Sequence, residues 1–143
     1  MSRPRLGDAL PLYAAVALGS VIGSVLRALA SAVGPVLFGV GFPVATLFVN
    51  VTGSFAIGFY ATLTAPDGRA FVGPRNRHFV MTGICGGFTT FSIFSLETLR
   101  LAMDGRMATA AFNIGISVVA WLAAVWLGHM LASRLNRLKG SRQ

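Results

Sequence analysis

At 143 residues, with 55% hydrophobic and only 11% charged residues and a mean hydropathy of +0.72, the chain reads as one domain of the membrane class, far from the composition of soluble proteins. The net charge of +8 does not point to nucleic acid, because the twelve basic residues are scattered through termini and loops rather than striped along one amphipathic face. The single cysteine, Cys85, lies inside an apolar segment, which excludes an intrachain disulfide and reads as a small buried thiol.

A polar lead, residues 1–9, carries Arg3, Arg5 and Asp8. The first spanning helix is expected over residues 10–33, too long for a cleavable signal and long enough at ~1.5 Å per residue to cross a ~30 Å hydrocarbon core. Gly19 and Gly23, backed by Ser20 and Ser24, form a face of small residues suited to a close helix contact. Arg27 lies two turns before the helix end. It reads either as an arginine snorkelling to the interface or as a fixed charge drawing anions to a pore mouth. After an uncharged loop over residues 34–42, the second helix is expected over residues 43–63, opening on Pro43, where a missing N–H costs nothing. Thr46 and Asn50 share one face of it, with Gly53 and Ser54 a turn further on. An asparagine near mid-membrane is costly and marks either a function or a bond to a neighbouring helix.

Beyond a polar loop, residues 64–77, the third helix is expected over residues 78–101, and as a plain membrane helix it is poorly built. The glycines of Gly83-Ile84-Cys85-Gly86-Gly87-Phe88-Thr89-Thr90-Phe91-Ser92-Ile93-Phe94-Ser95-Leu96-Glu97 cost about 1 kcal/mol each relative to alanine, and the threonines add a smaller penalty. In hydrocarbon, loosened backbone is tolerated only where protein covers it or where it lines a wet cavity. A break at mid-membrane, followed by hydroxyls and by Phe91 and Phe94 three residues apart, therefore points to an ion site; close packing at Gly86 and Gly87 is the plainer alternative. Glu97 falls near the membrane boundary, with Arg100 placed for a local ion pair. The fourth helix, residues 107–134, carries Asn113 and Ser117 four apart on a polar stripe. Trp121 and Trp126 read as packing or interface anchors, His129 as a headgroup-level residue, and residues 135–143 as a basic tail.

Four spans put both termini on one side. That side holds Arg3, Arg5, Arg69, Arg75, Arg77, Arg134, Arg137, Lys139 and Arg142, against Arg100 and Arg106 on the other. The positive-inside rule then places both termini in the cytoplasm. Four short helices do not easily enclose an ion path alone, so the faces bearing Asn50, Thr46, Ser117 and Phe91/Phe94 are expected to need a partner subunit.

The run from Gly86 to Glu97 resembles the central motif of the Fluc (CrcB) fluoride channels. Gly19-x3-Gly23-x3-Arg27 is similar to that family's first-helix pattern, and Thr46-Leu47-Phe48-Val49-Asn50-x2-Gly53 to its second-helix signature. The resemblance implies an all-α membrane protein with four helices per subunit and the third broken at mid-membrane. It further implies an antiparallel dimer in the cell inner membrane, with two pores along the subunit interface exporting fluoride down its electrochemical gradient. A structural sodium ion on the dimer axis would be held by backbone carbonyls which, by position, belong to Gly86 and Thr89. Phe91 and Phe94 match the paired pore phenylalanines, whose ring edges carry partial positive charge. Asn50 matches the pore asparagine and Ser117 the hydroxyl track of the fourth helix, with Thr46 also polar toward the pore. Arg27 matches the vestibule arginine. Such neutral donors suit an ion that holds water tightly, because conduction needs several weak sites rather than one strong trap.

Two departures stand out. Asn113 occupies a place where some relatives carry tyrosine, and the nine-to-two charge bias is large for a subunit that inserts both ways. A homodimer, the family's common form, is expected first, with a pair formed with an oppositely oriented homologue as the alternative. Two other functions fit less well. A small proton-coupled exporter needs a carboxylate deep in the membrane, and Glu97 is the one candidate. A non-conducting assembly subunit would explain the small-residue faces and Asn50 but not the glycine–threonine run. An enzyme would show a nucleophile with its base, and a phosphate site converging basic residues; neither pattern occurs.

Overall fold

The computed structural model describes residues 6–39 and 41–140; Arg3, Arg5 and Arg142 lie outside them. Four apolar helical spans, Ala9–Phe38, Val44–Leu63, Pro74–Met103 and Met107–Arg137, are long enough to cross a membrane, and no strand occurs among the described residues.

Helix α1 (Leu6–Phe38) runs through Pro11 and Pro35 and so extends past both expected ends. Pro35 removes one helical N–H without stopping the helix. The stop comes at Gly39, whose φ of +76° is the left-handed conformation glycine adopts freely. Helix α2 (Val44–Leu63) follows Pro43 as expected. The third span opens as α3 (Pro74–His78), a turn before the expected start, with proline in its first turn. It continues through π-helical turns over Phe79–Cys85, a short α4 (Gly86–Phe88) and, after an interruption, α5 (Ser92–Met103). Helix α6 (Met107–Gly140) absorbs most of the expected tail. It continues because Asn136 is tied down: its Nδ2 donates to the Thr62 carbonyl at 3.0 Å and its Oδ1 accepts from the Arg69 amide at 2.9 Å.

The spans pack as two parallel pairs. In the first, Gly19 and Gly23 of α1 lie directly on the backbone of Gly83 to Phe88; a Cβ at Gly23 would overlap the Ile84 carbonyl and the Phe88 amide. The small-residue face expected on the first helix is this contact. In the second pair, Gly58 of α2 meets the Val125 backbone, and Gly128 of α6 meets that of Phe55 and Phe59. Side chains too large for such approaches, among them Leu18, Val25, Leu29, Leu122 and Leu127, point outward and are exposed. In water that would be unfavourable, but against lipid tails it costs nothing.

Candidate functional site

Helical bonding in the third span is interrupted at Thr89–Phe91, not at the glycines, which are helical. Gly87 packs so tightly on the Ser20 backbone that its missing side chain serves contact with α1. The interruption arises from two diverted amides. The Thr90 N–H, which in a continuous helix would return to the Gly86 carbonyl, donates to Asn50 Oδ1 at 2.7 Å. The Ile93 N–H, which would return to the Thr89 carbonyl, donates to Thr90 Oγ1 at 3.2 Å. Thr89 is consequently extended, at φ −81° and ψ 158°.

Most groups at the interruption are satisfied from elsewhere. The Thr90 carbonyl accepts from Asn50 Nδ2 at 2.9 Å, the Gly87 carbonyl from Arg27 Nε at 3.1 Å, and the Cys85 carbonyl from Thr89 Oγ1 at 3.0 Å. Gly53 gives Asn50's helix the room to approach, since a Cβ there would collide with the Thr89 methyl. The Gly86, Phe88 and Thr89 carbonyls lose their helical amides and gain no other donor among the described residues. Oxygens of this kind are ligands that hard cations take. No group of three or more His, Cys, Asp or Glu able to hold a metal occurs among the described residues.

Beside the interruption runs a buried polar row on α6. The inward stripe of α6 is Ala110, Asn113, Ser117, Trp121, Ala124, Gly128 and Ala132, at steps of three and four that keep one helical face. Asn113, 1% exposed, donates through Nδ2 to Thr98 Oγ1 at 2.8 Å, and Thr98 Oγ1 donates to the Phe94 carbonyl at 2.7 Å. One turn on, Ser117 is 1% exposed and its Oγ has no hydrogen-bond partner among the described residues. One turn further, the Trp121 ring meets Phe94 edge to face, centroids 4.9 Å apart, and its Nε1 is also buried and unpartnered. Phe94 in turn lies 5.7 Å from Phe91.

Several expectations need correction. Asn50, Thr46, Asn113, Ser117 and Phe94 are buried within the chain, whereas Phe91 is open, at 72% exposed. Arg27 Nε reaches across to the third span and donates to the Gly87 carbonyl at 3.1 Å. The Glu97–Arg100 ion pair is not made at Oε2 of Glu97, which is buried and unpartnered among the described residues. His129 is a tie between helices, with Nδ1 2.8 Å from Thr62 Oγ1. Cys85 is buried, as expected.

Two cavities adjoin these residues. One of about 440 Å³ is lined by Asn50, Gly86, Thr89, Thr90, Phe91 and Trp121, among others. Another of about 370 Å³ opens at the end away from the termini and includes Glu97, Arg100 and Arg106. Asp104 lines it as well, so the two arginines there face two carboxylates.

The family described as "CrcB-like protein, Camphor Resistance (CrcB)" matches residues 14–129. The chain belongs to the CrcB family. It is 58% identical over 141 residues, 99% of this chain and 100% of the relative, to "Fluoride-specific ion channel FluC 1" of Rhodopseudomonas palustris (strain BisB18). It is 60% identical over 131 residues, 91% of this chain and 90% of the relative, to a protein of the same name from Bradyrhizobium diazoefficiens. "Fluoride-specific ion channel FluC" of Opitutus terrae is 56% identical over 132 residues, 92% of this chain and 100% of the relative.

The CrcB match spans every residue of the interruption and of the buried row. Sequence reasoning about this CrcB chain missed Thr90 and Thr98 as organising groups, and read Trp121 as a packing or interface anchor without its place in the polar row; it does pack on Phe94. The signal for Trp121 was available: it is the one large residue in a stripe otherwise made of Ala, Gly, Ser and Asn.

Proposed function

We propose that this chain is a fluoride-selective channel that lets fluoride leave the cytoplasm down its electrochemical gradient. The observation that carries the reading is the Ser117 hydroxyl, 1% exposed and without a partner among the described residues. A hydroxyl buried without a bond costs about 1–3 kcal/mol, and a passing anion would relieve that cost. The names of the CrcB relatives, at 56–60% identity, support fluoride as that anion.

The row has the chemistry fluoride needs. Asn113 gives one N–H to Thr98 and keeps a second, Ser117 offers O–H, and Phe91 and Phe94 offer ring edges of partial positive charge. All are neutral, so each replaces part of the hydration shell without holding the ion permanently. Asn50 acts by fixing the backbone of Thr90. Thr46 lies beside the Glu97 carboxyl, at the end where the cavity lined by Glu97, Arg100, Asp104 and Arg106 opens.

The assembly belongs to the same proposal: two copies inserted antiparallel in the inner membrane, with both termini of at least one copy in the cytoplasm. The exposed Phe91 ring and the open 440 Å³ cavity beside it are where the second copy would meet the first. The Gly86 and Thr89 carbonyls, deprived of helical amides, fit a structural sodium ion; bound there, it would supply a counter-charge tying the two third spans together. The charge bias keeps a pair formed with an oppositely oriented homologue open as the alternative assembly. Fluoride release from liposomes containing only this purified chain, followed with a fluoride electrode, tests the reading. Fast release that requires a potassium ionophore and retains chloride supports it. No release from this chain, alone or reconstituted with an oppositely oriented homologue, sinks it.

A further inference from the structure

We propose that the indole N–H of Trp121 is a further hydrogen-bond donor to the transported anion, carrying the Asn113–Ser117 row into the cavity beside the interruption. This rests on the channel reading and adds a residue to it. Three observations converge. Trp121 Nε1 is buried and has no acceptor among the described residues, in the same condition as Ser117 Oγ one turn earlier. Trp121 lines the cavity of about 440 Å³ together with Asn50, Thr89, Thr90 and Phe91. Its ring is pinned by Phe94, 4.9 Å away and at 74°.

The chemistry suits the task. An indole nitrogen only donates, so it has no lone pair to repel an anion and no charge to trap one. A ring with two side-chain torsions, held by an aromatic neighbour, keeps its N–H aimed with little entropy to lose. Tryptophan is also misplaced as mere packing here, because the rest of the stripe, Ala110, Ala124, Gly128 and Ala132, keeps side chains small so that helices can approach. Trp121 faces the one stretch of the third span where backbone has withdrawn from helical bonding, and there a large side chain has room. The three donors Asn113, Ser117 and Trp121 thus stand one helical turn apart, about 6 Å per step. That spacing lets an ion leave one donor for the next without full rehydration.

The deciding measurement is the indole N–H spectrum of the full-length chain, labelled with nitrogen-15 and titrated with sodium fluoride or sodium chloride. Trp126, 57% exposed on the outer face, is the internal control, and W126F assigns the two signals. The expected result is a saturable downfield shift of the Trp121 N–H with fluoride, none with chloride, and no movement of Trp126. In liposomes, W121F, which keeps an aromatic ring but loses the donor, should release fluoride about 3–10-fold more slowly, while W126F keeps the native rate. The native-chain spectrum decides the matter even where W121F fails to assemble. A native chain that conducts fluoride while its Trp121 signal stays fixed overturns this proposal alone: the N–H then only packs against Phe94. A native chain that conducts no fluoride, alone or reconstituted with an oppositely oriented homologue, overturns the channel reading and this proposal together.

Discussion

The carboxamide of Asn50 pairs with both backbone groups of Thr90, accepting the amide at 2.7 Å and donating to the carbonyl at 2.9 Å. A side chain on the second span thereby does for one residue what a strand neighbour does in a sheet. It holds the third span open where the Gly86 carbonyl loses its helical amide. Asn50, 5% exposed, gives this bridge one of the two lone pairs of Oδ1 and one of the two hydrogens of Nδ2.

Asn50→Asp should therefore damage structure and transport together. Aspartate cannot donate to the Thr90 carbonyl, and its second oxygen would face that carbonyl's lone pairs. Stranding the carbonyl costs about 1–3 kcal/mol, which should appear as a lower melting temperature of the purified protein in detergent. Fluoride release should fall at least ~10-fold, the equivalent of about 1.4 kcal/mol. Native melting and native release in this variant would show that the bridge is dispensable.

Arg27 offers a way to separate a bond from a charge. Its Nε donates to the Gly87 carbonyl at 3.1 Å, and glutamine carries its amide nitrogen at the same bond distance from the backbone. Arg27→Gln should keep the bond and hence the melting temperature, while removing one positive charge. Under the channel reading, release then falls several-fold at low ionic strength and less at high ionic strength, where the Debye length has shrunk to ~3 Å at 1 M salt. Equal loss at both salt concentrations would argue against attraction of anions by Arg27.

The glycines predict contrasting effects. A Cβ at Gly23 would overlap backbone of the third span, and backbone cannot move aside as a flexible side chain can. Gly115 has nothing within 4 Å of its would-be Cβ. Gly23→Val should abolish a well-behaved purified protein, whereas Gly115→Ala should stabilise it by about 0.4–1 kcal/mol through the unfolded chain. Size-exclusion profiles and melting curves distinguish the two; similar behaviour of both variants would contradict the packing described here.

These glycines also show what the sequence makes legible. Hydropathy locates four spans because every residue facing lipid must be apolar, and the four-residue spacing of Gly19 and Gly23 marks a contact face without naming its partner. Ends were less legible: the Pro35 segment looks like a loop, yet the stop depends on Gly39. The site of interrupted bonding was less legible still. Local propensity points at Gly86 and Gly87, but the outcome is decided by Asn50, forty residues away, competing for one amide. Which polar residues end up buried, as Thr46 and Asn113 do, likewise depends on which helices pair, and single-chain periodicity does not encode that.

The sodium proposal predicts an effect on stability separable from side chains. If carbonyls of Gly86 and Thr89 hold the ion, Thr89→Ser should keep it, since serine retains the hydroxyl that bonds the Cys85 carbonyl at 3.0 Å. Exchange of sodium for a large organic cation should lower the melting temperature of the native chain and of Thr89→Ser alike. A chain indifferent to that exchange would show that the carbonyls bind no structural sodium.

Ser117→Ala is expected to move stability and transport in opposite directions. The Ser117 hydroxyl is buried without a partner among the described residues, so in the resting protein it carries a desolvation cost of about 1–3 kcal/mol with nothing in return. Alanine removes that cost and fits the small-residue stripe between Asn113 and Trp121, so melting should be unchanged or higher. A donor that meets the ion in passage, by contrast, lowers the barrier to transport, and its loss should slow fluoride release about 3–10-fold. A variant less stable and fully conducting would mean the hydroxyl makes a structural bond instead. A variant more stable and slower would tie the unsatisfied hydroxyl to conduction, because no purely structural role explains why removing a group strengthens the fold and weakens the function.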